Sequence, residues 1–452
     1  MSAPGSLGDL ADVAARVTGW TAPGEEVETY VERSRTTNVR AYHGEVESLS
    51  SAETVGAGIR VIIDGRQGFA WAGTLDETVL KEALEEARDN AAFGQADAFI
   101  GLATPDGVAP PSLPLVSDEL RSTSTAAKID LALELEKRAL ARDARVTGVR
   151  VASYSDVIGE MAIATTQDIL VTSESAACYI SVAPLVNADG DTQIGGGMSM
   201  GRAPSELDID RAVADGVDRA VRLLGATKPK SRRLTVVLDP HVTASFLSII
   251  GGTLSGDAVL KGRSLFAGRA GEQVAAPCIT LASDPTDPGS IGAEPYDGEG
   301  LARRRVSLIE DGTLQGFLYD TYAGRRAGRA STGSASRSYR STPGVGAASL
   351  TLVPGTTSQA ALIASVADGV YVQEVSGLHS GVNPVSGDFS VGATGLTIRD
   401  GVFAEPFREA TIASTLQRML LDVAAVGADH EWLGGGPAGV TLVISDVSLG
   451  GS

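Results

Sequence analysis

Apolar and polar residues in the first half of the chain alternate with the period of a helix in some stretches and with that of a strand in others. The order of helical and strand stretches occurs twice. Apolar side chains that recur every three or four residues predict amphipathic helices. Alternating apolar and polar residues predict strands, which follow the first and the third of these helices. The predicted helices lie near residues 7–17, 77–87, 125–143 and 206–225. The predicted strands lie near residues 27–33, 36–42, 56–64, 68–73, 149–155, 159–166, 169–175 and 179–186.

Polar residues and glycines mark the ends of several of these elements. Ser6 and Asp76 directly precede the first two helices, where a short oxygen-bearing side chain can accept hydrogen bonds from the free N–H groups of the first turn. Asp64 is followed by Gly65 at the end of a predicted strand. This dipeptide favours a tight hairpin turn.

The chain predicts two domains of different character. A proline-rich connection at residues 99–116 separates the two similar halves of the first domain. We therefore expect an α+β domain over residues 1–225, in which helices cover one face of an antiparallel sheet. Residues 226–452 contain many glycines and short strand patterns, including a predicted hairpin at Asp311 and Gly312, which together predict a β-rich C-terminal domain. Two further helices are predicted near residues 358–368 and 410–425.

The charge balance argues against nucleic acid or an anionic membrane as the partner. The 452 residues include 37 lysines and arginines against 56 acidic residues, a net charge of −19, whereas phosphate binding depends on clustered basic side chains. The start of the sequence lacks a basic segment followed by an apolar one, and no apolar run approaches the length of a membrane span. Because only two cysteines are present as well, we expect a cytoplasmic protein.

The histidines and cysteines are too scattered to form a local metal site. The four histidines are His43, His241, His379 and His430. No two of them have the spacing of an H-x-H or H-x-x-x-H pair, and the two cysteines lie 100 positions apart. Zinc requires nitrogen, sulfur or carboxylate ligands held together. We therefore expect no catalytic zinc in this chain.

Two serines invite comparison with catalytic nucleophiles. Residues 197–201 fit the G-x-S-x-G pattern around Ser199, but a nucleophile elbow needs a buried strand before it and a helix directly after it. Because the preceding residues are polar and rich in glycine, we favour a glycine-rich bend. Ser380 follows His379, yet adjacent side chains point in different directions, which favours a polar loop.

An arginine-rich stretch between residues 302 and 340 contrasts with the acidic remainder of the chain, since only three acidic residues lie within it. Its arginines are Arg303, Arg304, Arg305, Arg325, Arg326, Arg329, Arg337 and Arg340. Such a patch could grip a carboxylate terminus or an acidic partner surface. A solvated loop is an equally good interpretation, because the residues after 330 are small and polar.

Several blocks along the chain resemble one family. Residues 381–400, which read GVNPVSGDFSVGATGLTIRD, are similar to the C-terminal signature of the PmbA branch of the TldD/PmbA family. Further blocks with the order and spacing of that family lie at residues 36–73, 241–267, 406–414 and 436–451. The resemblance therefore covers nearly the whole chain.

The block at residues 241–267 resembles the metallopeptidase helix of the family without its metal ligands. Active members carry an HExxxH motif a few residues before a Gly-Asp pair. This chain has the pair, as Gly256 and Asp257. Counting back from that pair, the two histidine positions fall on Leu247 and Gly252, and the glutamate position falls on Ser248. None of these can bind zinc or activate its water. The resemblance therefore implies the PmbA-like, or TldE-like, subunit that lacks the metal.

The resemblance also implies a partner, a substrate and candidate contacts. The partner would be an HExxxH-containing TldD-like paralogue that binds the zinc in a heterodimer, and this chain would hold no cofactor. The substrates would be unfolded or leader-type peptides, which can bind in extended form along a sheet edge. Asn383 and Asp388 would line the groove, although both could instead brace turns. With them we group His379, Arg337 and Arg340 as candidate groove or partner contacts.

Two alternatives from other functional classes stay open. The chain could be an independent serine-type hydrolase that uses Ser199 or Ser380. It could also be a regulatory binding protein, in keeping with the older description of the family as modulators of DNA gyrase. A homodimer of the isolated chain is compatible with each of these hypotheses.

Overall fold

The computed structural model describes residues 7–434 and 436–452. Ser6, the predicted cap of the first helix, lies outside this part of the chain. The helices of the first half are α1 (Leu7–Thr18), α2 (Glu77–Phe93), α3 (Asp118–Ser122), α4 (Thr125–Arg142) and α5 (Ile209–Arg222), and a turn of 3₁₀ helix covers Pro204–Glu206. The strands are β1 (Glu25–Tyr42), β2 (Glu45–Ile63), β3 (Arg66–Ala72), β4 (Val146–Thr165), β5 (Leu170–Ala188), β6 (Asp191–Ile194) and β7 (Gly197–Gly201).

These strands form one antiparallel sheet in the order β3-β2-β1-β4-β5-β6, with β7 also paired to β5. The helices cover one face of this sheet. In β1, Val27 and Val31 pack with α1 and α2, and Val39 and Ala41 pack with α4. All four have odd numbers, and alternate residues of a strand point to the same face. The expected α+β fold with two similar halves is confirmed.

The predicted cap and the first predicted hairpin are present. The Oδ1 atom of Asp76 accepts hydrogen bonds from the N–H groups of Thr78, at 2.9 Å, and Val79, at 3.2 Å. Asp64 and Gly65 have φ angles of 49° and 71°. A type I′ hairpin turn needs positive φ at both central residues, which explains why this dipeptide joins β2 to β3.

The strands are longer than predicted. β1 unites two predicted strands through Ser34 and Arg35, which pair with Thr54 and Glu53 of β2. β4 and β5 each unite two predicted strands in the same way. Polar residues interrupt the apolar alternation, but a strand paired on both sides keeps its backbone hydrogen bonds whatever its side chains. The predicted bend at residues 197–201 is also wrong, because this segment is β7 and pairs with β5.

The second half contains short helices and many strands. The helices are α6 (Pro240–Thr253), α7 (Gly256–Leu260), α8 (Thr321–Ala327), α9 (Gln359–Ala364), α10 (Leu378–Gly381) and α11 (Leu416–Leu421). The strands are β8 (Arg232–Leu238), β9 (Leu281–Ser283), β10 (Val306–Glu310), β11 (Thr313–Leu314), β12 (Ala335–Ser336), β13 (Gly344–Val345), β14 (Leu350–Leu352), β15 (Asp368–Ser376), β16 (Asp388–Arg399), β17 (Val402–Thr415), β18 (Val423–Val426), β19 (Glu431–Trp432), β20 (Ala438–Gly439) and β21 (Leu442–Gly450).

The main sheet of this half closes on itself. Its strands run in the order β17-β16-β15-β8-β21, and β21 pairs back with β17. Only β8 and β15 are parallel in this ring. One large apolar core contains Val236 of β8, Val372 of β15 and Ile412 of β17 together with Phe246 and Leu247 of α6. The closed sheet therefore fixes the position of α6.

One predicted helix in this half is wrong. Residues 410–415 belong to β17, and only Leu416–Leu421 are helical before β18 begins. Ala410 and Ile412 are buried on the same face of β17, so this segment has the alternation of a strand, which the prediction missed. The other helix, predicted at 358–368, is shorter than expected, since β15 begins at Asp368. The predicted hairpin at Asp311 and Gly312 is present between β10 and β11.

Within the described residues, no helix is both long and apolar enough to cross a membrane. The proposed domain boundary between residues 225 and 226 falls in the connection from α5 to β8, and it stays a prediction.

Candidate functional site

Helix α6 has one buried side and one side that faces a groove. Asp239 caps its first turn, and Pro240 stands at the first helical position, where its missing N–H is harmless. Phe246 and Leu247 are buried in the core, whereas Ser248 and Gly252 are exposed. Ser248 and Gly252 are four positions apart, so the two lie on the same face of the helix.

Three cavities line up along this exposed face. Their volumes are about 550, 600 and 570 Å³. The first and second share His241 and Ser245, and the second and third share Ser248, Ile249 and His379. We call this continuous depression the α6 groove. The 14 residues of α6 span about 21 Å, which is the length of about six residues of an extended peptide.

The α6 groove offers a zinc ion few ligands. Leu247, at the first expected histidine position, has its side chain fully buried in the core. Ser248 and Gly252, at the other two expected positions, face the groove with a hydroxyl group and bare backbone. Among residues 7–434 and 436–452, no group of three His, Cys, Asp or Glu side chains could hold a metal ion.

The predicted contacts at and just before the C-terminal signature divide into two kinds. His379 is exposed and faces the groove. Asn383 instead accepts hydrogen bonds at Oδ1 from the N–H groups of Val385, at 2.9 Å, and Ser386, at 3.2 Å. Asp388 accepts one from the Ser386 hydroxyl at 2.7 Å. The second interpretation offered for Asn383 and Asp388, that they brace a turn, therefore describes their contacts.

Arg337 does not occupy the exposed position that a partner contact requires. Its side chain is fully buried and forms an ion pair with Glu28 of the N-terminal sheet. Glu28 also pairs with Arg60 at 2.9 Å, and Arg60 lies 4.0 Å from Glu299. We call Glu28, Arg60, Glu299 and Arg337 the ionic junction. It joins the face of the N-terminal sheet opposite the helices to loops of the second half.

Opposing effects act on the two carboxyl groups of the ionic junction. Burial by itself would raise the pKa of Glu28, but Arg60 and Arg337 together hold it below its ordinary value. Burial raises the pKa of Glu299 to about 7, and the attraction of Arg60 offsets this only in part because Asp297 and Asp320 lie nearby. The attraction of the arginines therefore outweighs the effect of burial at Glu28 but not at Glu299.

Most of the remaining arginines of the stretch also contact this chain. Arg340 is exposed, donates to the Tyr339 hydroxyl at 2.8 Å and stacks on Trp71. Arg325 donates to the carbonyl oxygen of Leu102 at 2.7 Å. The ion pairs are Arg303–Glu294, Arg304–Asp106 and Arg305–Asp284. Much of the stretch therefore holds parts of the chain together, and the solvated-loop interpretation does not describe it.

Neither candidate serine has a hydrogen-bonded base in the described part of the chain. The Ser199 hydroxyl accepts a hydrogen bond from the N–H of Asp208 at 2.9 Å. The Ser380 hydroxyl donates to the carbonyl oxygen of Gly377 at 3.3 Å. A serine nucleophile needs an adjacent base to take its proton, and these contacts supply none.

Sequence analysis missed a polar cluster at the start of α6. Asp239 is buried and accepts hydrogen bonds from Arg219 at 2.6 Å and from the Tyr371 hydroxyl at 2.5 Å. Its other oxygen lies 3.0 Å from Nδ1 of His241. Burial would raise the pKa of Asp239, but His241, Arg219 and Tyr371 hold it well below its ordinary value. The Asp-Pro-His order was the available signal, because a residue two positions after a cap can reach back to it.

Comparison with known proteins places this architecture in one family. Models described as PmbA/TldA metallopeptidase domain 1, central domain and C-terminal domain match residues 27–91, 118–224 and 231–451. Metalloprotease PmbA of Escherichia coli O157:H7 is 26% identical over 407 residues, covering 89% of this chain and 88% of that protein. The metalloprotease TldD homolog of Haemophilus influenzae is 29% identical over 424 residues, covering 88% and 87%.

A solved structure shares the fold over nearly its whole length. The crystal structure of TldE from Thermococcus kodakarensis matches with a TM-score of 0.88 at 23% identity, covering 98% of this chain and 100% of that chain. The sequence matches and the shared architecture agree, and the chain belongs to the PmbA/TldD family.

Proposed function

We propose that this chain is the non-catalytic, metal-free subunit of a TldD/TldE-type zinc metallopeptidase complex that acts on unfolded or leader-type peptides. The observation that carries this proposal is the exposed face of α6. At the positions that would bind zinc and activate water, it presents Ser248 and Gly252, while Leu247 belongs to the core. A TldD-like paralogue with an intact HExxxH motif supplies the zinc and the general base.

The groove supports binding of peptides in extended form. Its length suits about six residues, and its small side chains at Ser245, Ser248 and Gly252 allow a peptide backbone to approach α6 closely. Hydrogen bonds to the main chain of the peptide give affinity without a strong sequence preference. Because the main-chain groups of α6 are paired within the helix, side chains that line the groove provide these bonds. A folded substrate cannot enter, because its backbone groups are already paired.

Zinc content and activity test this function directly. The purified chain, an HExxxH paralogue and their equimolar mixture are assayed for zinc by mass spectrometry and for cleavage of unfolded casein. We expect substoichiometric zinc in this chain, about one zinc per paralogue, and cleavage only by the mixture, abolished by a chelator. Stoichiometric zinc in the isolated chain, or cleavage by it that survives chelation, would contradict the proposal.

A substitution in the groove separates peptide binding from zinc binding. A Cβ atom added at Gly252 meets no atom within 4 Å, so Gly252→Arg fills the groove without disturbing the core. We expect it to reduce cleavage by the mixture at least tenfold with zinc content unchanged. Gly316→Arg is the matched control, because Gly316 has the same free space and lies outside the groove. Equal activity of the two variants would exclude the groove as the peptide site.

The same preparations distinguish the two alternative functions. Fluorophosphonate labelling of the isolated chain, lost in Ser199→Ala or Ser380→Ala, would indicate a serine-type hydrolase. Co-purification with DNA gyrase in the absence of a peptidase subunit would indicate a regulatory binding protein.

A further inference from the structure

Asp239 holds His241 in a defined orientation at the start of α6. The Oδ1 atom of Asp239 accepts a hydrogen bond from the main-chain N–H of His241 at 2.9 Å and lies 3.0 Å from its Nδ1 atom. A buried carboxylate opposite one ring nitrogen fixes both the tautomer and the direction of the imidazole. His241 itself is 45% exposed, so its ring is anchored at one nitrogen and open at the other.

The contacts around Nδ1 of His241 favour the tautomer that carries its hydrogen on Nδ1. Arg219 Nη2 lies 3.1 Å from Nδ1, but it also donates to Oδ2 of Asp239 at 2.6 Å. An unprotonated Nδ1 would place a lone pair 3.0 Å from a carboxylate oxygen, which is repulsive. A protonated Nδ1 donates to the strongest acceptor present. In a neutral imidazole with this tautomer, the Nε2 atom carries the free lone pair.

A second unsatisfied acceptor lies beside the same cavity. Gln373 is only 4% exposed and lines the cavity of about 550 Å³ together with His241. Its Nε2 donates to the carbonyl oxygen of Arg219 at 3.1 Å, whereas its Oε1 is buried without a hydrogen-bond partner in the described residues. A buried acceptor without a partner is costly, and a small rotation of the Gln373 side chain toward the cavity would let a ligand N–H group satisfy it.

We infer that His241 is a peptide-binding residue of the α6 groove, which accepts at Nε2 a hydrogen bond from a main-chain N–H group of an extended peptide. This inference rests on the proposed peptide-binding function of the groove. His241 lies where the cavities of about 550 and 600 Å³ meet, and an extended peptide along α6 passes this point. A metal ion at His241 would need further ligands, and the described residues contain no suitable group of three.

An ester scan of a peptide tests the contact. The probe is a fluorescein-labelled peptide, Ala-Leu-Ser-Ala-Leu-Ser, and a set of analogues in which one main-chain N–H at a time is replaced by an ester oxygen. Binding to the complete chain, alone and mixed with its HExxxH paralogue, is measured by fluorescence anisotropy. Loss of one hydrogen bond should weaken binding about fivefold, so we expect one analogue to bind the wild-type protein about fivefold more weakly than the parent peptide.

The His241→Ala variant identifies the acceptor. The variant keeps the main-chain N–H that donates to Asp239. The analogue that binds the wild type about fivefold more weakly should bind this variant as well as the parent peptide does. Because an ester also weakens the neighbouring carbonyl, the comparison between wild type and variant isolates the N–H contact. His379→Ala is the control and should retain the fivefold loss. An equal loss in His241→Ala, a flat scan in the wild type, or no binding of the parent peptide would each overturn the inference.

The ring nitrogens provide a readout independent of peptidase activity. In ¹⁵N NMR spectra, His241 should show the tautomer with hydrogen on Nδ1, and addition of the peptide should shift the Nε2 resonance. The opposite tautomer would overturn the inference. If the zinc and casein assays fail while the ester scan and the Nε2 shift succeed, the peptidase proposal is wrong and the peptide site stands.

Discussion

The α6 groove and the ionic junction use polar residues in opposite ways. The groove exposes a few small or polar groups, such as Ser248, Gly252 and His379. The ionic junction buries the charged groups of Glu28, Arg60 and Arg337 together with the carboxyl group of Glu299, whose pKa is raised to about 7. The groove is open to a ligand, whereas the groups of the junction already have partners within the chain.

This difference shows that charge density along the sequence is a poor guide to a binding surface. Eight arginines mark residues 302–340 as a candidate contact region, yet several of them pair with acidic or carbonyl groups of the same chain. A buried charge must be paired because its desolvation is expensive. In an acidic chain, a concentration of arginines can therefore indicate an internal junction as readily as a docking site.

The largest expected effect is the loss of Arg337. Arg337→Ala leaves the buried carboxylate of Glu28 with Arg60 as its ion-pair partner, and breaking a buried pair from one side costs about 3–5 kcal/mol. Urea denaturation of the purified variant should show an unfolding free energy reduced by that amount.

Arg340→Ala is the control for this prediction. Its guanidinium is exposed and stacks on Trp71 and Tyr339 at 5.0 Å from each ring, so its removal should cost less than about 1 kcal/mol. If the two variants had equal stability, or if Arg337→Ala impaired only assembly with a partner, the ionic junction would not stabilise the fold.

The next largest effect on stability is expected from a substitution on the buried side of α6, compared with one on its exposed side. Leu247→Ala removes a fully buried side chain from the main core and should cost about 3 kcal/mol. Ser248→Ala changes an exposed position beside it and should alter stability by less than about 0.5 kcal/mol. Thermal unfolding followed by circular dichroism distinguishes the two. A large cost at Ser248 would mean that the groove face also supports the fold.

Local features of the fold were predictable where a short stretch of sequence decides the outcome. Asp76 caps α2 and the turn at Asp64 and Gly65 joins two strands as expected, because each depends on residues a few positions apart. The ends of the strands were not predictable in this way. Ser34 and Arg35 continue β1 because β2 and β4 pair on both sides of it, and no local pattern reports that pairing.

The candidate site was predictable only in part, for the same reason. Residues 247, 248 and 252 were located by resemblance, and the structure places two of them on the groove. The contact of Arg337 with Glu28 was not predictable, because the two residues lie 309 positions apart in the chain. The role of Asn383 was offered as one of two alternatives, and its contacts with Val385 and Ser386 are local enough for turn chemistry to predict them.

The ionic junction should also make stability depend on pH. The pKa of Glu299 is raised from 4.5 to about 7 in the folded protein, so the folded state binds this proton more tightly than the unfolded chain does. The stability that Glu299 contributes is therefore full below pH 4.5 and is lost as the pH rises through 7. Glu299→Gln should remove this loss, gaining about 3 kcal/mol at pH 8 and nearly nothing at pH 4.5.

Denaturant midpoints of the wild type and of Glu299→Gln, measured between pH 4.5 and pH 8, test whether the variant gains stability as the pH rises. Glu45→Gln, at an exposed position, should follow the wild type at every pH. A variant that is less stable than the wild type at pH 8 would show that Arg60 needs the charge of Glu299, and would reverse the assignment of Glu28 as its principal partner.

The smallest expected effect lies beside the groove. Asn383→Ala removes the oxygen that accepts from Val385 and Ser386, and loss of such a local acceptor costs about 1 kcal/mol. Amide hydrogen exchange should accelerate at residues 385 and 386, while binding of an extended peptide weakens less than about threefold, since Asn383 contacts its own turn and not the groove. Unchanged exchange together with lost peptide binding would instead make Asn383 a groove contact. The polar groups of the groove would then include the C-terminal signature as well as α6.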